Sequence, residues 1–253
     1  MFTTEDTILI AAIAFFAALA QGATGFGFAI IALPLLLGVM GSLDAVGLTI
    51  ILNLLVSLVL VPGLWRQAPK GHLARLSIGS LVGFPLGLVI FLHASLEWVR
   101  LAVGLIILLF AAWLALSQRR TKVTAEPPPT RRWADILVGA VSGAMATALA
   151  MPGPSVMLYL SAGGMAKVSL RATTLCLFTL SYGAALTLQA GAGAIATEVW
   201  RTVALTAVPT IIGALAGHRL SGRLGEGAFH MIVLAILLAT GAYTTVTALS
   251  VWL

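Results

Sequence analysis

Gly22, Gly25 and Gly27 fall inside one hydrophobic stretch, Thr7 to Met40, which also carries Pro34, and Pro152-Gly153-Pro154 falls inside a second, Ile136 to Met165. Residues of these types in the middle of an apolar run stop one helix and start another. Glycine reaches backbone geometry closed to other residues and permits close approach, and each proline removes a donor and breaks the helical ladder. A helix that restarts presents unpaired N–H groups and the positive end of its dipole, and such ends bind anions. The chemistry open to these positions is non-covalent capture of a small anion by backbone amides.

Few polar side chains stand near the two interruptions. Gln21 and Thr24 at the first, and Ser142, Thr147 and Ser155 at the second, are candidates for hydrogen bonds to a bound oxyanion, with Tyr159 within reach a turn further on. Ser and Thr in apolar helices also bond their own backbone or a neighbouring helix, and Asn53, central in its run, suits an interhelical bond as well as a solute. Arg171 could draw an anion toward a mouth of the pathway or could serve only to orient the chain. His93, His218 and His230 could carry protons, although all three fall near expected span ends. No carboxylate is evident inside an apolar run, which argues against a carboxylate proton relay. Cys176, the single cysteine, forms no internal disulfide and no thiolate metal cage. Zinc-binding His-Glu-x-x-His, Gly-x-Ser-x-Gly and nucleotide-loop patterns are missing, so no enzyme and no cofactor is expected.

The elements that must position these residues follow from composition. The 253 residues are 60% hydrophobic and 9% charged, with a mean hydropathy of +1.08. Soluble domains carry about 25% charged residues, and several apolar runs approach the roughly 20 residues that cross a bilayer as helix. The expected fold is therefore an all-α polytopic membrane protein. Barrel strands alternate in polarity, whereas these runs are continuous. The net charge of +6 reflects basic residues between the runs, so the bilayer and not nucleic acid is the expected partner. Met1 to Asp6 lacks the positive leader region of a cleavable signal.

Simple spans are expected at about Ala45 to Val61, Leu76 to Leu92 and Val99 to Leu116, and again at Ala172 to Ala190, Val203 to His218 and Phe229 to Trp252. Each set of three accompanies one interrupted pair, so predictors would count about eight transmembrane segments. The whole chain reads as one membrane domain, with a first repeat over 7–117, a linker over 118–132 rich in basic residues and proline, and a second repeat over 133–253. Gly83 and Gly87 match Gly213 and Gly217, and Val103 to Ala111 matches Val233 to Gly241. Small residues at this spacing let helices pack closely. If each interrupted stretch enters and leaves on one side, Arg66, Lys70, Arg75, the linker, Lys167, Arg171, Arg219 and Arg223 all become cytoplasmic, and only Arg100 and Arg201 lie outside, as short basic loops prefer. The repeats are then inverted and both termini extracytoplasmic. Each arm of an interrupted stretch spans about 15 residues, or about 23 Å as helix. Trp65, Trp98, Trp133, Trp200 and Trp252 are expected as interfacial anchors.

Taken together, Gly22-Ala23-Thr24-Gly25-Phe26-Gly27 with Leu33-Pro34-Leu35-Leu36-Leu37, Ser142-Gly143 with Pro152-Gly153-Pro154 and Leu158-Tyr159-Leu160, Leu81 to Gly87, Arg100 to Leu109, and Ser169-Leu170-Arg171-Ala172-Thr173 resemble the TauE/SafE family of membrane permeases. The resemblance covers nearly the whole chain. It implies export of sulfite, sulfoacetate or related organic anions, and it implies that Gly25, Gly27, Pro34, Gly153, Pro154 and Arg171 belong to the parts the family shares. The halves differ: Asp44 stands where the second half has Arg171, and the second interruption is poorer in glycine.

The expectation is a secondary transporter of the cytoplasmic membrane for a small sulfur-containing or organic anion, compatible with a homo-oligomer. A non-transporting membrane scaffold and an anion channel are the alternatives. Paired interrupted segments in corresponding places of two halves are the sequence sign of a transport site at a repeat interface.

Overall fold

The computed structural model describes residues 3–117, 131–221, 238–242 and 244–246; residues 118–130 of the linker expected over 118–132 and most of the last expected span lie outside them. Among the described residues the fold is helical, without strands. The helices are α1 (Thr4–Thr24), α2 (Phe28–Met40), α3 (Asp44–Leu60), α4 (Lys70–His93), α5 (Leu96–Ser117), α6 (Arg132–Leu149), α7 (Gly153–Ala162), α8 (Lys167–Gly191) and α9 (Thr197–Leu220), with two 3₁₀ turns, Val61–Gly63 and Trp65–Gln67, leading into α4. Five of these, α1, α3, α4, α5 and α9, are long and apolar enough to cross a membrane.

Two close helix pairs hold the bundle together: α1 against α9, and α4 against α6. The glycines at four-residue spacing are the reason they can approach. A Cβ on Gly83 or Gly87 would overlap the carbonyl oxygens of Ala140 and Ala144, and one on Gly213 or Gly217 would overlap those of Phe15 and Leu19. Contact numbers rise together along both partners, so each pair runs parallel. With no hydrophobic force between helices in lipid, this backbone approach supplies dispersion contact that larger residues would forbid.

The two arms of each interrupted stretch are unequal, which corrects the expectation of about 15 residues apiece. α1 has 21 residues and α2 has 13, so at 1.5 Å per residue they measure about 31 and 20 Å. α6 has 18 residues and α7 has 10, or about 27 and 15 Å. Each stretch folds as a hairpin that returns to the end of the bundle where it began. Gly47, near the start of α3, faces Ile195 and Val199 at the start of α9, and α9 starts beside the start of α1. Likewise the Tyr159 hydroxyl, late on α7, reaches Asp135 at the start of α6.

Charge segregates along the bundle. Arg66, Lys70, Arg75, Arg131, Arg132, Lys167, Arg171 and Arg219 lie at the end where α4, α6 and α8 begin, whereas Glu5, Asp6, Asp44, Glu97 and Glu198 lie at the other, with Arg100 and Arg201. Trp65, Trp98, Trp133 and Trp200 are between 46% and 66% exposed near helix ends, as side chains that anchor at a membrane interface are. The core is drawn mainly from α1, α2 and α3, whose Phe28, Leu33, Leu36, Leu48 and Leu52 are fully buried.

Candidate functional site

The first interruption is built from two glycines in left-handed geometry, Gly25 at φ 88° and Gly27 at φ 108°. Gly25 ends α1, its N–H donating to the Gln21 carbonyl at 2.7 Å. An added Cβ there would also strike the Arg171 stem. The Thr24 hydroxyl is consumed locally: it donates to the carbonyls of Ala20 and Phe26 and accepts from the Phe26 N–H. Gly22 is a helical packing position, pressed on the Ala214 carbonyl.

At the second interruption Ala150 takes the left-handed position at φ 52°, the single non-glycine with positive φ among the described residues. Its N–H donates to Ala146 and the Met151 N–H to the Met145 carbonyl, both at 3.1 Å, which closes the end of α6 as left-handed C-caps do. Ser142 and Ser155 both donate to the Pro152 carbonyl, at 2.9 and 3.5 Å. Thr147 donates to the Phe84 carbonyl of α4 at 2.9 Å, besides bonds to its own helix. Its own carbonyl accepts from Gln189.

A buried chain of side chains joins the two interruptions. The Gln21 Oε1 accepts from the Phe28 N–H, the first turn of α2, at 3.1 Å. Its Nε2 donates to Asn53 Oδ1 at 2.8 Å. Asn53 Nδ2 donates to the Tyr182 hydroxyl at 2.7 Å, and that hydroxyl donates to the Ala150 carbonyl at 2.9 Å. Gln21, Asn53 and Tyr182 are each at most 1% exposed, so the relay is complete without water. Sequence reasoning passed over Tyr182, and it left Asn53 open between an interhelical bond and a solute. Both now stand at the same place, because α3 and α8 cross there.

Beside this relay lies a cavity lined from one side by Gly27, Ala29 and Ile30 at the start of α2 and from the other by Met151, Gly153 and Pro154 at the start of α7. Phe178 closes it, edge-on to Tyr182 with ring centres 5.8 Å apart. A helix start leaves its first N–H groups without helical partners, so two positive helix ends border one space. Its room for the centre of a water-sized sphere is about 10 Å³, enough for about one water. In this arrangement the arms are closed together, and a larger guest requires them to part.

Of the residues singled out from sequence, Gln21, Gly27, Gly153 and Pro154 line the cavity, with Pro152 at the cap of α7 beside it. Arg171 sits at the end of α1, its Nη2 donating to the Gly22 carbonyl at 2.5 Å and facing His218 Nδ1 at 2.9 Å. Tyr159 turns away from the cavity and donates to Asp135 at 2.7 Å. Asp135 corrects the expectation that no carboxylate enters the helical interior, since it is fully buried. The sequence signal was faint because it lies in the first turn of α6, among residues that read as a polar flank.

The comparisons agree with this architecture. A family model described as Sulfite exporter TauE/SafE matches residues 10–244. Neither the curated proteins nor the solved structures give a match. With apolar helices long enough to span a bilayer and a family match over nearly its whole length, the chain belongs to the TauE/SafE family, a family of membrane transporters.

Proposed function

We propose that the chain is a secondary transporter that carries a small sulfur-containing or organic anion, such as sulfite or a sulfonate, outward across the cytoplasmic membrane. The observation that carries this reading is the pair of helix starts, α2 and α7, bordering one cavity. Two positive dipole ends and their free N–H groups favour a negative guest. Gln21, whose amide already caps α2, is the side chain that must yield to it. Gly27, Gly153 and Pro154 shape the seat and Arg171 guards its basic end.

The two halves act as inverted repeats about this seat, over 7–117 and 133–253, joined by a cytoplasmic linker. In support, α1 lies along α9 as α6 lies along α4, and the glycines that match between the halves make both seams. Rocking one close pair against the other opens the seat to either side. The basic end of the bundle is the cytoplasmic one by the positive-inside preference, which leaves both termini outside. An inside-negative potential favours anion exit by about 2.3 kcal/mol per charge per 100 mV.

The test is electrogenic current from purified protein in liposomes challenged with sulfite, sulfoacetate, sulfolactate, taurine and simple carboxylates. A saturable current for a sulfur-containing anion is expected, and Gly25→Leu should abolish it, since φ 88° and the Arg171 stem both exclude a side chain. Silence across the panel from folded protein would overturn the reading.

A further inference from the structure

Among the described residues Asp135 is the one acidic side chain at the basic end of the bundle, and it is fully buried. Helices α4, α6 and α7 meet on it. Arg75 Nε donates to Oδ2 at 2.6 Å, Tyr159 donates its hydroxyl to Oδ1 at 2.7 Å, and His72 Nδ1 stands 3.1 to 3.2 Å from both oxygens. His72 is 3% exposed. Two atoms of this cluster, His72 Nε2 and Arg75 Nη2, are buried without a hydrogen-bond partner.

The charges of the cluster balance in one protonation state and not in the next. With His72 neutral, the Asp135 and Arg75 charges cancel. A proton added at Nε2 leaves a net positive charge and a new N–H donor where no acceptor is present. One carboxylate would then face two cations, and burying the excess positive charge with an unpaired N–H is costly, so the protonated form favours separation of the three helices and entry of water. Imidazole is the side chain that changes charge in the physiological range. The shortest α-helix among the described residues is α7, which has 10 residues and is tied to α6 at this end through the Tyr159 hydroxyl. It is also the short arm whose start borders the cavity between the interruptions.

We propose that His72 with Asp135 forms a proton-binding site, and that proton uptake there releases α7 from α4 and α6. The charged groups around it are Arg75 from α4 and Arg131 before α6, with the neutral phenol of Tyr159 from α7. Among the described residues Arg66, Lys70, Arg132, Lys167, Arg171 and Arg219 are the other charged groups of this end, all of them basic. The site stands apart from the cavity and does not depend on which solute fills it.

Hydrogen exchange of residues 153–162 in the full chain, purified in detergent, tests this without any solute. Wild type and His72→Gln are compared at each pH from about 8 to about 5.5, so the intrinsic exchange rate cancels. The expected result is equal exchange at the alkaline end and a wild-type excess of about tenfold at the acid end, the sign of local opening. Equal exchange across the whole range would overturn the proposal. Tyr159→Phe, which lacks the tie, should exchange faster than wild type at alkaline pH and respond little to acid. If His72→Gln fails to fold, a pH response in Tyr159→Phe as large as that of wild type is the overturning result.

Discussion

The two interruptions reach one geometry by different chemistry. At the first, Gly25 and Gly27 supply the left-handed turns, and the polar work is done by Thr24 and Gln21 from the same helix. At the second, Ala150 occupies the left-handed position, prolines shape the restart, and the decisive bond comes from Tyr182, 32 residues away on α8. The left-handed turns of the first interruption are thus closed by groups of its own arms, with α8 adding bonds from Arg171 to Gly22 and from Thr174 to Gly25, whereas the left-handed residue of the second takes its side-chain bond from α8. Where glycine is present the backbone geometry itself carries little strain. Where alanine replaces it, at a cost of about 1–2 kcal/mol for left-handed geometry, tertiary bonds must over-determine the turn.

Substitutions at the two sites should separate accordingly. The largest effect on transport is expected from Gln21→Glu, which would cap α2 with its own carboxylate and so occupy the place of the solute. A carboxylate at a helix start is worth up to about 2 kcal/mol, and the concentration dependence of the anion current should shift by up to about 30-fold. Ser142→Ala, the nearest equivalent at the second interruption, should shift it little. A strong shift from Ser142→Ala would break the contrast.

Tyr182→Phe comes next. It strips the partner from the Ala150 carbonyl and from Asn53 Nδ2, and each buried orphan costs about 1–3 kcal/mol. A lower unfolding midpoint in mild detergent is expected, with hydrogen exchange rising around 149–153 more than around 24–28. Equal loosening of both segments would mean that the relay, and not the second interruption alone, depends on Tyr182.

The smallest effect is expected from Ala150→Gly. Relief of the left-handed strain is offset only in part by the roughly 0.5–1 kcal/mol of extra chain entropy that glycine loses on folding, so the midpoint should rise slightly. A clear loss of stability would show that the fully buried Ala150 methyl contributes packing that glycine cannot replace.

Much of the scaffold was legible from local pattern. The span expected at Ala45 to Val61 is α3, Asp44–Leu60, and both interruptions fall where glycine and proline put them. The pairing of Gly83 and Gly87 with Gly213 and Gly217 pointed to seams that the helices do form. The site was only half legible. Gln21 stood out because an amide is costly to leave in lipid, but its partner Asn53 lies 32 residues on, and Tyr182, the partner of Asn53, a further 129. Thr24, Thr147 and Ser155 could equally bond backbone, and they do. His72 and Asp135 escaped notice because each alone looks like a polar flank of an apolar run.

Composition and breaker residues by themselves determined that this chain is a bundle of apolar helices with two interruptions, because hydropathy and backbone permission are properties of short segments. Only the tertiary structure decided that both interruptions open on one cavity, that a side-chain relay links them, and that His72, Arg75, Asp135 and Tyr159 converge. Those meetings depend on how each helix is rotated and how far it slides along its neighbour, which the glycine seams set by backbone contact between segments distant in sequence.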